Sequence, residues 1–122
     1  MDTGSLRGDL LAIHRYQERL FAGATFQAVV PPILARLGSD PLLHQLYESE
    51  FVELRRHEVV DAIDRAWHRG ELPSRPDPLD AFDLLTGPLF YRVVVRNRPP
   101  TATFRNAVVD SVVRCLTVVD RG

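Results

Sequence analysis

Four residues stand in one row along a predicted helix: His57, Asp61, Asp64 and His68. Imidazole and carboxylate groups are zinc ligands, so the residue types suit a metal. The spacing does not. The row runs along three turns, too far for all four to meet at one ion, and it lies opposite the apolar Val59, Ile63 and Ala66 stripe. It reads as the solvated side of a helix. His44 and Glu48 form another i,i+4 pair with no third ligand. The single Cys115 sits among valines on an apolar helical face and reads as inert packing rather than a nucleophile. The sequence carries no glycine-rich phosphate loop, no G-x-S-x-G and no paired-histidine zinc motif. The expectation is a protein with no catalytic residue, no metal and no cofactor, and therefore not an enzyme.

Binding chemistry is better represented. His14 and Gln17 fall inside the apolar stripe Leu6, Leu10, Ile13, Leu20 and Phe21. Either they sit at its edge and bond to backbone or water, or they point into an internal pocket and orient a ligand. Arg55 falls within the stripe of Val52, Val59, Ile63, Ala66 and Trp67. A charge on an apolar face is costly unless paired. Arg55 either lays its stem over the core, keeping its head in water or paired with Glu48 or an aspartate, or it contacts an anion or hydroxyl of a ligand.

Helices must position all of these residues. A first helix is predicted to run to about Ala22, with Gly23 as its stop. A second covers Ala24 to Leu37, kinked or restarted at Pro31-Pro32 and ended by Gly38. Asp40-Pro41 pairs a cap with a first-turn proline and opens a long helix closed by Gly70. Its length predicts a bend or break between Leu46 and Glu53. Glu71 to Asp77 is a proline-rich linker. Asp77-Pro78 then caps a helix to Arg96 that is apolar all round, with Phe82, Leu85, Leu89 and Val93 on one face and Leu84, Tyr91 and Val95 on the other. Pro88 deletes one of its backbone bonds and predicts a bend, while Gly87 permits close approach of another backbone. A helix apolar on every side must be buried on every side, so one face needs a partner, most simply a second copy. Thr101 or Thr103 caps a last helix to about Val119 or Asp120, with Phe104, Val108, Val112 and Cys115 on its apolar face. No alternating strand pattern bounded by turns is found, so the fold is expected to be all α, a bundle of five to six helices.

Composition fits one soluble domain of 122 residues with a real core. The net charge of −1 supplies no basic field for nucleic acid, and arginine pairs such as Arg55-Arg56 are interleaved with acids. A lone cysteine fits a reducing cytoplasm, and no apolar run reaches the length of a membrane span.

Several stretches resemble the regulatory domain of TetR/AcrR-like (tetracycline-repressor-like) transcriptional regulators. They are Asp2-Thr3-Gly4-Ser5-Leu6-Arg7-Gly8-Asp9-Leu10-Leu11, Arg55-Arg56, Ala66 through Arg69-Gly70-Glu71-Leu72, Asp77-Pro78, and Leu84-Leu85-Thr86-Gly87-Pro88-Leu89-Phe90-Tyr91-Arg92. The resemblance implies a single helical regulatory domain over 1–122, binding a small-molecule effector in about residues 5–72 and dimerising through helices at about 77–120. The last two helices would build a four-helix interface with a second copy. DNA would be contacted only through an N-terminal helix-turn-helix domain, which is expected to be absent here. The expected ligand-lining residues are His14, Gln17, Phe21, Val52, Arg55 and Trp67. The expected homodimer contacts are Phe82, Leu85, Gly87, Leu89, Val93, Phe104, Val108 and Val112. The competing expectation is a stand-alone helical interaction module with no ligand.

Overall fold

The computed structural model describes residues 2–118 and is all α among them. Six α-helices follow in order: α1 (Leu6–Ala22), α2 (Ala24–Leu34), α3 (Pro41–Leu46), α4 (Glu53–His68), α5 (Pro78–Phe90) and α6 (Ala102–Thr117). A π-helical stretch, Tyr47–Val52, joins α3 to α4 without a break, and a second, Tyr91–Val95, extends α5. Counted as continuous rods, the described residues form five helices. The predicted extension of the last helix to Val119 or Asp120 lies outside the described residues.

The starts follow the capping chemistry. Ser5 accepts from the Gly8 amide, Asp40 from Leu43, Asp77 from Leu79 and Thr101 from Phe104, each filling one of the orphan donors of a first turn. The end of α4 is a Schellman motif. Gly70 takes φ +80°, the Glu71 amide bonds back to the Ala66 carbonyl at 2.9 Å, and the Gly70 amide reaches Trp67. The interruption expected between Leu46 and Glu53 is the first π-helical stretch, where the Glu53 amide bonds to Glu48, five residues back. Pro31 and Pro32 lie inside α2, which ends at Leu34 rather than Leu37 and gives way to a turn. Pro88 lies inside α5, and the helix loosens into its π-helical stretch three residues later.

α1 is the central rod, in contact with α2, α4, α5 and α6. Its first half, through Leu6, Leu10 and Ile13, joins Val59, Ile63 and Ala66 of α4, Phe82 and Leu85 of α5, and Val109 and Val112 of α6 in the larger core cluster. Its last turn, through Phe21, joins Phe26, Val30, Leu89 and Val93 in a smaller one. Leu10 and Leu85 are fully buried. Each such side chain contributes about 2–3 kcal/mol by removal from water. Among the described residues, no helix is long and apolar enough to cross a membrane.

Candidate functional site

Between the end of α1, the first π-helical stretch, the start of α4 and the face of α5 lies a cavity of about 570 Å³. That volume suits a small organic molecule. Phe21, Phe51, Phe82 and Phe90 supply aromatic walls, with Val52 and Leu79 beside them. The rings already contact one another: Phe21 meets Phe90 edge-on at 5.5 Å, and Tyr47 stacks on Phe51 at 5.0 Å. Tyr47, Phe51 and Arg55 recur every four residues through the π-helical stretch into α4, and all three line the cavity. Glu48, Asp77, Asp80 and Asp83 also border it, and all four are exposed.

Arg55 is half-buried. Its guanidinium lies 3.7 Å from the Phe51 ring centre, and its Nη1 donates to the Phe51 carbonyl at 2.7 Å. Its Nε is buried with no hydrogen-bond partner. Burial pulls its pKa down, yet a guanidinium stays charged at any ordinary pH. Burial pushes the Tyr47 hydroxyl up, so it is a neutral hydrogen-bonding group here.

Of the expected ligand residues, Phe21, Val52 and Arg55 line this cavity. Gln17 stands one contact behind it: its Oε1 accepts from the Thr86 hydroxyl at 3.0 Å, and Thr86 is a wall residue. His14 is fully buried elsewhere on α1, where its Nδ1 bonds Glu18 at 2.7 Å and its ring lies 6.4 Å from Phe104. Trp67 lies near the end of α4 with 38% of its surface exposed, away from the cavity walls. The wall residues that sequence reading missed are Tyr47, Phe51, Thr86 and Phe90. The i,i+4,i+8 spacing of Tyr47, Phe51 and Arg55 was the one available signal for the first two.

The residues expected at the dimer contact divide in two. Phe82, Leu85, Leu89 and Val93 turn inward and are buried in the protomer's own core. The outward row of the same rod is Leu84, Pro88, Tyr91 and Val95, all exposed. A helix apolar all round does not announce which side its own bundle occupies. Val108 and Val112 are buried yet also floor an apolar groove of about 320 Å³ between α5 and α6, shared with Leu84, Pro88, Ala107, Ser111 and Cys115. Phe104 is half-buried under Arg92, and Gly87 borders the ligand-sized cavity rather than this groove. Cys115 is exposed, not buried as its valine neighbours suggested, because it falls on the outer edge of α6.

His57, Asp61 and His68 face solvent; Asp64 pairs with Arg75 and accepts at its carbonyl from His68. Among the described residues, no group of three or more His, Cys, Asp or Glu side chains is placed to hold a metal ion.

Residues 1–112 match the family model described as the tetracyclin repressor-like, C-terminal domain. The chain belongs to this family. It is 30% identical over 112 residues to an uncharacterized HTH-type transcriptional regulator of Mycobacterium tuberculosis (strain ATCC 25618 / H37Rv), covering 92% of this chain and 54% of the relative. A regulator of the same description from Mycobacterium bovis matches to the same extent. One from Bacillus subtilis (strain 168) is 27% identical over 94 residues, covering 77% of this chain and 47% of the relative. The chain thus spans about half the length of the curated relatives it matches. No solved structure matches it with significance.

Two of the stretches that carry the resemblance, residues 2–11 and 66–72, meet in space in this tetracycline repressor-like domain. Asp9 is buried on α1 and accepts from the Thr3 amide and hydroxyl at 2.7 and 2.8 Å. Its other oxygen accepts from Arg65 Nη2 at 3.2 Å. Burial alone would raise the Asp9 pKa, but the Thr3 and Arg65 hydrogen bonds outweigh it and hold the carboxyl below its ordinary value. Glu71 caps the Leu6 amide at 3.2 Å and pairs with Arg69 at 2.8 Å. A Cβ at position 8 would collide with the Thr3 hydroxyl, so Gly8 lets residues 2–5 fold back over α1. The beginning of the chain is therefore clamped to the far end of the same α4 rod that carries Arg55.

Proposed function

We propose that this chain is the effector-binding and dimerisation part of a TetR-like transcriptional repressor working in the cytoplasm. The aromatic cavity around Arg55 carries the proposal, since it offers a partly open, aromatic-walled volume with one cationic donor at its wall. A small molecule seated there would touch the first π-helical stretch and the start of α4. At and just past the end of α4, Arg65, Arg69 and Glu71 hold residues 2–9. A shift of that rod would move the point at which a preceding helix-turn-helix domain is attached, and the operator would be released. DNA contact would belong to that domain, in the part of the relatives this chain does not match.

A second copy is proposed to pack on the outward row of Leu84, Pro88, Tyr91 and Val95 together with Ala107, Ser111 and Cys115. This row is continuous with an apolar groove, and small residues on α6 permit close helix approach. Thermal melting of the chain against a small-molecule collection tests the effector role, because a ligand stabilises the state it binds. Molecules that raise the melting temperature of the wild type but not of Val52→Trp, whose indole fills the cavity, are the expected result. If no molecule stabilises the wild type, or all stabilise both forms equally, the chain is an interaction module without an effector.

A further inference from the structure

The geometry points to an aromatic monocarboxylate as the ligand class of the cavity, an assignment that rests on the cavity being the effector site. Arg55 makes no ion pair among the described residues, although four carboxylates border the same cavity. Its single hydrogen bond goes to the Phe51 carbonyl, and its Nε finds no acceptor. A half-buried guanidinium cannot shed its charge, and Glu58 attracts it only through space with no hydrogen bond, so its unfilled N–H is costly until an acceptor arrives. The guanidinium is a planar fork whose geometry matches the two oxygens of a carboxylate.

The walls select the rest of the molecule. Phe21, Phe51 and Phe90 present ring faces and edges around one volume, and an aromatic body gains edge and stacking contacts there beyond its area burial. The acids set the charge. Glu48, Asp80 and Asp83 are exposed at the border and none of them pairs with Arg55. Water screens them from the guanidinium, but a second anionic group reaching the mouth would meet their repulsion. One carboxylate on a ring satisfies Arg55 and avoids the acids; a phosphate or dicarboxylate does not.

Calorimetric titration of the full chain with naphthoate, its neutral amide and the matching naphthylmethylammonium tests the assignment, with binding placed by NMR shifts at Phe51, Val52 and Phe90. Naphthoate should bind roughly tenfold or more tightly than the amide, the scale of one charge-assisted hydrogen bond. Arg55→Gln should erase that preference, and Arg55→Lys, which keeps charge without the fork, should retain part of it. Circular dichroism checks that both variants fold; should Arg55→Gln fail, the acid-over-amide preference in the wild type and its reduction in Arg55→Lys decide the matter. Equal binding of acid and amide, tightest binding of the ammonium, or an acid preference that survives in Arg55→Gln overturns the carboxylate assignment and leaves the cavity a ligand site. No binding by any member, with the cavity resonances unmoved, overturns the assignment, and the effector role falls as well only if the wider collection also stabilises nothing.

Discussion

Glu18 on α1 and Arg105 on α6, eighty-seven positions apart in sequence, form a two-point ion pair, with Oε2 2.5 Å from Nε and Oε1 2.8 Å from Nη2. Oε2 also receives His14 Nδ1 at 2.7 Å. The pair ties the first helix to the last, and only 8% of the Glu18 side chain and 18% of the Arg105 side chain remain exposed. Removing one partner strands the other. Arg105→Met is therefore expected to lower the unfolding free energy by about 2–3 kcal/mol, below the full cost of a wholly buried pair because Arg105 keeps some water. A double change to leucine at both positions should recover much of the loss. Urea unfolding of the three proteins measures it, and a loss near zero in Arg105→Met would show that the pair holds nothing together.

Acid should weaken the fold through the same cluster. Burial pulls the His14 pKa below its ordinary 6.5, against a smaller upward pull from Glu18. The unfolded chain then takes up a proton below about pH 6.5 that the folded chain refuses, so stability falls as pH falls from there towards the folded value. Burial would raise Glu18, but its bonds to Arg105 and His14 outweigh that and hold it below 4.5. Asp9 likewise sits below 3.8, so both carboxylates add stability above their unfolded pKa values that is lost on further acidification. Urea midpoints from pH 7 to pH 3 should decline throughout. His14→Asn should flatten the upper part of the decline, just below about pH 6.5, and leave the lower part. An unchanged slope there would remove His14 from the account.

The two rows of α5 make opposite predictions. Leu84→Arg and Ser111→Arg place a charge on the outward groove and should give a folded monomer by sedimentation, since an unpaired charge resists burial between copies. Leu85→Arg puts the same charge at a fully buried site and should unfold the protomer instead. Leu54→Arg, at an exposed position on α4, is the control and should leave the association unchanged. A wild type that sediments as a monomer at micromolar concentration would remove the proposed interface.

Local chemistry made much of the fold legible. The caps at Asp40 and Asp77, the cap at Thr101 (one of two threonines the sequence offered), the glycine stops at Gly23 and Gly70, and the π-helical stretch after Leu46 all arise from bonds within a few residues. The cavity was legible in part. Phe21, Val52 and Arg55 fall on its walls, while His14 and Trp67 do not, because two polar or aromatic residues in one stripe can serve different neighbours at different heights of the bundle.

By itself, then, the sequence determined the helices, most of their ends, the doubly apolar character of α5 and the family. Tertiary structure alone decided which face of α5 turns inward, that Cys115 faces out, that His14 is held by Glu18, and that Arg55 hydrogen-bonds a carbonyl rather than a carboxylate. Periodicity fixes the angle of a side chain about its own helix axis. It does not say which other helix, contributed by residues tens of positions away, stands at that angle.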